Sequence, residues 1–159
     1  MALDRTDLKI LKELGRDGRI SNQDLAALVA LSPSSCLRRV RMLEEAGIIS
    51  GYRCELDPQR LGLEVQALVQ VSMRQDVDQW HEKFVEAVLS WPEVIEATIV
   101  TGQANYTLTV RTRDLGHYSD FIINRLYKAP GVMSINSNMV LGTIKSGGSL
   151  LGLLEAPKP

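Results

Sequence analysis

Apolar residues open the chain at a helical spacing. Leu8, Leu11 and Leu14, with Ile10 beside them, follow Asp4, a good N-cap with acidic Asp7 three residues on. Asp17-Gly18 supplies a stop. Ser21 reopens a helix with Asp24 in a capping-box-like place, and Leu25, Leu28 and Val29 form the stripe expected to be buried. Ala30-Leu31 makes a short turn. Ser32 then caps a third helix with Pro33 at its first position, where a missing N–H costs nothing. Cys36, Val40 and Leu43 fall at i, i+4 and i+7 and face inward, and Gly47 suits the position just past the end. Residues 48–56 change character: β-branched and aromatic residues around Ser50-Gly51 predict a short hairpin or wing. Asp57-Pro58 closes that segment, and residues 57–62 read as a linker.

From Leu63 the period switches to two. Leu63, Val65, Ala67, Val69, Val71 and Met73 alternate with polar residues broken only by Leu68, the pattern of a half-buried strand. Val77, Trp80, Phe84 and Val88, flanked by Val85 and Leu89, predict a helix that Trp91-Pro92 breaks. Residues 94–101 and 106–112 read as two strands joined by Gly102-Gln103-Ala104-Asn105. Asp114 caps a second helix carrying Leu115, Tyr118, Ile122 and Leu126. Pro130-Gly131 stops it, and residues 132–144 form a last strand. The order is β-α-β-β-α-β, a ferredoxin-like arrangement behind a winged helix-turn-helix, giving an α+β protein. Pro92-x-Val94 and Pro130-x-Val132 echo one another, each closing a helix and opening a strand. The predicted division is 1–56, linker 57–62, 63–145 and a tail 146–159 that is either a docked turn of helix or a mobile end.

Composition narrows the partners. The chain has 159 residues, enough for two compact domains, and only 5% are aromatic, so its cores are aliphatic. A net charge of −1 gives no general pull toward polyanions, so any DNA binding must come from a local patch. Arg38, Arg39 and Arg41 occur in such a stretch with no acid between residues 34 and 43. Cys36 and Cys54 lack C-x-x-C spacing and read as small buried apolar residues in a reducing compartment. There is no signal-peptide pattern and no apolar run of membrane-spanning length, which implies a cytoplasmic protein. No metal cluster, phosphate loop or Ser-His-Asp set is visible, so neither an enzyme nor a cofactor is expected. Trp80 and Trp91 read as packing residues, and His81 and His117 as isolated surface residues.

The third helix carries the candidate chemistry. In a helix-turn-helix the second helix of the pair must present short or basic side chains near its N-terminus, because that end enters the major groove. Ser34, Ser35, Arg38 and Arg41 lie off the apolar stripe. Serine lets the backbone approach closely, and arginine can fork onto O6 and N7 of guanine. Arg39 has a mixed reading, as a DNA contact or as a brace to Glu44 or Glu45. On spacing alone, a three-helix bundle that binds protein remains the alternative, as does a metabolite-binding module without a DNA role.

Larger stretches resemble a known family. Leu3-Asp4-x-x-Asp7-x-x-Ile10-Leu11, Asp17-Gly18-Arg19-Ile20-Ser21 and Leu31-Ser32-Pro33-Ser34-Ser35-Cys36-Leu37-Arg38-Arg39-Val40 closely resemble the leucine-responsive / asparagine-synthetase regulators (Lrp/AsnC). So do Leu43-Glu44-x-x-Gly47-Ile48-Ile49-x-Gly51-Tyr52, Leu56-Asp57-Pro58 and Val100-Thr101-Gly102-x-x-Asn105-Tyr106. The similarity continues through Pro130-Gly131-Val132 and Val140-Leu141-x-x-Ile144-Lys145, covering residues 3–145. The resemblance implies a transcription regulator that binds double-stranded DNA and forms homodimers that often assemble into octamers. It also implies a small effector, usually an amino acid, held between subunits near Gly102, Gln103, Asn105 and Tyr106. Two positions depart from the family pattern. Asn105 stands where the family usually has Asp, which implies an altered ligand preference or weakened amino-acid sensing. Ala30 stands where Gly is frequent, and is expected to be tolerated if its φ stays negative.

Overall fold

The computed structural model describes residues 2–74 and 78–155. Two compact units emerge, one of residues up to Glu55 together with those from Lys145 on, the other Leu56–Ile144. Among the described residues no helix is long and apolar enough to cross a membrane.

In the first unit, α1 spans Arg5–Arg16, α2 Asn22–Leu28 and α3 Pro33–Glu45. Asp4 caps α1 in a full capping box, its Oδ1 accepting from the Thr6 and Asp7 amides while Asp7 accepts from the Asp4 amide. At α2 the box is altered: Ser21 Oγ caps the Asp24 amide but donates its own proton to Asp24 Oδ2 at 2.6 Å. The core joins Ile10, Leu25, Ala26, Val29, Cys36 and Leu43, with Leu11, Leu14 and Val40 packed against it. Leu28, expected inside, is 60% exposed. Ala26 closes the stripe with Leu25 and Val29, and Leu28 lies about 100° around the helix from that face.

Two helix ends share one device. After α3, the Ile48 and Gly47 amides donate back to Leu43 and Glu44, with Gly47 at φ +69°. After α2, the Leu31 and Ala30 amides donate to Ala26 and Ala27 in the same Schellman pattern, so Ala30 sits at φ +57°. The expectation of a negative φ at Ala30 is overturned: the turn requires the left-handed conformation whatever residue fills it. Residues 48–56 also differ from expectation. They form no strand pair, because the only apolar anchor of the segment is Ile49, which packs on the helical core, and the rest lies exposed. Cys54 is exposed rather than buried, whereas Cys36 is fully enclosed and its thiol pKa is raised by that burial. The expected linker is an ordered turn, with the Leu63 amide donating to Pro58 at 2.8 Å and Gly62 at φ +73°. From the tail, Leu151–Glu155 forms a short helix, α6.

The second unit is a four-stranded antiparallel sheet with β1 Val65–Met73, β2 Val94–Ile99, β3 Tyr106–Thr112 and β4 Val132–Met139, ordered β2-β3-β1-β4. One face buries Ala67, Val69, Val71, Leu108 and Val110 under α4 (Trp80–Ser90) and α5 (Leu115–Phe121). The other face carries Gln66, Leu68, Gln70, Thr107, Thr109 and Arg111, which the alternation places there. Val77 of the expected α4 stripe lies outside the described residues. Both edge strands end earlier than expected. β2 stops at Ile99 because β3 begins at Tyr106, and β4 stops at Met139 opposite Ala67, near the start of β1. A ladder cannot outlast its partner. Leu115 is exposed; Phe121 takes the inward place with Tyr118, and a π-helical turn over Ile122–Leu126 brings both Ile122 and Leu126 inside.

Candidate functional site

The surface of α3 forms from three local choices. Ser32 accepts from the Ser35 amide and Pro33 starts the helix, so its first turn is held open toward solvent. Cys36 and Leu43 are drawn fully into the core, which turns the opposite side outward. On that side stand Ser34, Leu37, Arg38 and Arg41, at i, i+3, i+4 and i+7, all exposed. Ser35 is half-buried, and its hydroxyl accepts from Ser32 Oγ at 2.9 Å. Arg38 rests on its own helix, with Nη1 3.5 Å from the Met42 sulfur. Neither Arg38 nor Arg41 makes an ion pair among the described residues.

Arg39 is committed elsewhere. Its Nη1 donates to Asp4 Oδ2 and Asp7 Oδ1, both at 2.7 Å, and the Asp7 carboxylate is buried. Hydrogen bonds from the Asp7 amide and from Arg39 hold the Asp4 carboxyl below its ordinary pKa, and the two aspartates raise that of Arg39 in turn. The brace therefore runs to the cap of α1 and not to Glu44 or Glu45. Glu44 Oε1 instead accepts from the Tyr52 hydroxyl at 3.0 Å. A further clamp was not legible in the sequence: Asn22 Nδ2 donates to the Pro33 carbonyl at 2.9 Å, fixing the start of α2 to the start of α3. The only signal for it was a polar residue at the first position of a helix, where polar residues are common anyway.

The turn of residues 100–105 is bolted to the end of β1. The Asn105 amide donates to Val71 at 2.9 Å, its Oδ1 accepts from the Met73 amide at 2.7 Å, and Ser72 Oγ donates to the Gln103 carbonyl at 3.0 Å. Met73 follows Val71 by two residues, so its amide points to the same side of β1, past the last β1–β3 pair and toward the turn. One hydrogen bond to Asn105 Oδ1 thus comes from the β1 backbone. Gly102, at φ +117°, and Gln103 are exposed at the tip. Tyr106 points the other way, 4% exposed, with its ring 4.6 Å from that of Phe84. Burial, with the Glu82 charge nearby, raises the Tyr106 hydroxyl above its ordinary pKa. The four turn residues thus divide, two at the surface and two holding the frame.

Both histidines have partners, contrary to expectation. His81 Nδ1 bonds the Tyr106 hydroxyl and its ring lies 13° from parallel to the tyrosine ring. His117 Nε2 meets Glu93 Oε1 at 3.0 Å, and Arg125 Nη1 donates to both Glu93 oxygens, at 2.9 and 3.1 Å. Contacts 24 and 32 residues apart in sequence leave no local pattern to find them by. Among the described residues no group of three or more metal-binding side chains occurs.

Comparison with known proteins decides the family. Residues 66–150 match the Lrp/AsnC ligand binding domain, and residues 3–50 match a winged helix-turn-helix DNA-binding domain. The chain belongs to the Lrp/AsnC family. This Lrp/AsnC regulator is 42% identical over 142 residues to the Bkd operon transcriptional regulator of Pseudomonas aeruginosa, covering 89% of the chain and 93% of that protein. It is 38% identical over 143 residues to the leucine-responsive regulatory protein of Rhizobium meliloti, covering 90% and 92%. Among solved structures, a transcriptional regulator from Neisseria meningitidis in complex with L-Met superposes with a TM-score of 0.87 at 41% identity, covering 91% and 94%. The protein is accordingly a DNA-binding transcriptional regulator with an effector-binding half, and not an enzyme.

Proposed function

We propose that this regulator reads duplex DNA with Ser34, Ser35, Arg38 and Arg41 on α3, and that Arg39 serves the fold. The observation that carries the reading is the difference between neighbouring arginines. Arg39 is tied to two aspartates, whereas Arg38 and Arg41 are exposed beside Ser34 with no ion pair among the described residues. A homodimer would place two such helices about one turn of the double helix apart, on a roughly palindromic site. Residues 1–56 would carry DNA binding, 57–62 the connection, and 63–145 effector binding and assembly into dimers or octamers, in the cytoplasm.

The effector reading attaches to the turn. The amides of Gly102, Gln103 and Ala104 donate to no protein group among the described residues, and such a row of N–H groups suits a carboxylate. An amino acid is the class favoured, since the N. meningitidis relative was solved with L-Met. Gly102 and Gln103 would touch the ligand, while Asn105 and Tyr106 hold the turn in place.

The test is a footprint on DNA upstream of the protein's own gene, at stated salt. Arg38→Ala and Arg41→Ala should each cut specific affinity by roughly 5- to 150-fold, the worth of a bidentate base contact, with the melting temperature unchanged. Arg39→Ala should do the reverse, lowering the melting temperature first. Unaltered footprints in both Arg38 and Arg41 variants would place the reading surface elsewhere.

A further inference from the structure

Leu37 sits in the middle of the α3 stripe and is 40% exposed. The helical core closes without it: Cys36 and Leu43 are fully buried and Val40 packs beside them, while Leu37 belongs to no part of that cluster. It lines a shallow hollow of about 290 Å³ together with Ser34, Arg38, Arg41, Met42 and Glu45. Arg38 and Arg41, which make no ion pair among the described residues, stand beside the leucine, so the hollow offers an apolar patch next to two guanidinium groups, with the Glu45 carboxylate at its far end. That combination fits the edge of a base pair in the major groove. There the phosphates attract the arginines, and the one apolar group on display is the 5-methyl of thymine.

We propose that Leu37 is a specificity residue that packs against the 5-methyl group of a thymine adjacent to the bases met by Arg38 and Arg41. The inference rests on the reading of α3 as the DNA-facing helix and adds to it the base that Leu37 selects. From Ser34 to Arg41 the helix rises about 10 Å, roughly three base-pair steps, so one thymine edge falls within reach of Leu37. Cytosine at the same place has no methyl and presents an amino group, which a leucine side chain leaves without an acceptor. Met42 lines the same hollow on its other flank, with its sulfur against Arg38.

The experiment uses the full-length protein and a duplex selected by it from a random-sequence library. Each thymine is replaced in turn by deoxyuridine, which removes the methyl and nothing else. At one thymine per half-site the parent should lose affinity about fourfold, the worth of one buried methyl group. Leu37→Ala should bind the thymine and deoxyuridine duplexes alike, and Leu37→Met should keep part of the difference. A parent indifferent to every replacement overturns the proposal, and so does an undiminished difference in Leu37→Ala. Since the scan on the parent needs no variant, a folding defect in Leu37→Ala cannot mask the result. Arg38→Ala and Arg41→Ala on the same duplex separate the two readings. If they lose specificity while deoxyuridine has no effect, only the role of Leu37 falls. If they bind as the parent does, the DNA-facing reading of α3 falls with it.

Discussion

Ala30 and Gly47 occupy the same place in the same kind of helix end, and only one of them is a glycine. Ala30 at φ +57° carries a Cβ into a region that costs an L-residue about 1–2 kcal/mol. Part of that strain is offset because alanine restricts the unfolded chain more than glycine does, by about 0.4–1 kcal/mol. Ala30→Gly should therefore stabilise the helical unit by about 0.5–1 kcal/mol net, read as a rise in the urea midpoint at unchanged slope. A fall in the midpoint would show that the left-handed geometry is not retained in solution. The same scale separates the arginines of α3. Three guanidinium groups within four residues have one chemistry, and only the aspartates brought up by α1 distinguish Arg39 from the other two.

Between elements, Glu93 does the most joining. It lies between α4 and β2, its carbonyl accepts from the Arg111 amide at 2.8 Å, and its carboxylate receives Arg125 from the π-helical turn and His117 from α5. Burial alone would raise its pKa; the hydrogen bond from His117 and the charges of Arg125 and His117 overcome this and leave it lowered. A carboxyl whose pKa is lower folded than unfolded contributes stability at neutral pH. That contribution is complete above its unfolded value, about 4.3, and drains away as the pH falls through the folded value. In a series of melting curves from pH 7 into acid, the parent should lose stability more steeply below about pH 4.3 than Glu93→Gln. The variant should start lower at pH 7. Parallel curves would mean that the cluster does not bind its proton differently on folding. The π-helical turn belongs to the same arrangement, because it carries Arg125 toward Glu93 while sending Ile122 and Leu126 into the core.

For the whole molecule, the effector reading makes a measurable claim. A ligand that prefers the folded state raises the melting temperature, by roughly 5–10 °C at a hundredfold excess over its dissociation constant for a chain this long. A screen of the twenty amino acids should find at least one that does so. Gly102→Ala should abolish that shift, since at φ +117° an added Cβ forces the turn into another shape. A shift that survives in the variant would place the site away from the turn.

Much of this protein could be read from residue order alone, where the governing physics is local. The caps Asp4, Ser21, Ser32 and Asp114 act on amides two or three residues away, and each does so in the structure. The alternation from Val65 to Met73 and from Tyr106 to Thr112 named the inward face of the sheet because side chains on a strand alternate by geometry. What the sequence left open were the partners of groups distant along the chain. Asn105 reaches Met73, Arg39 reaches Asp4, and Tyr106 reaches His81 only once the elements have packed. The lengths of β2 and β4, the exposure of Leu28 and the unpaired course of residues 48–56 depend on what lies alongside, and neighbours in space are not neighbours in sequence. Local order decided the helix caps and the inward face of the alternating strands. Packing decided which polar groups were used up and which, among the described residues, were left without a partner.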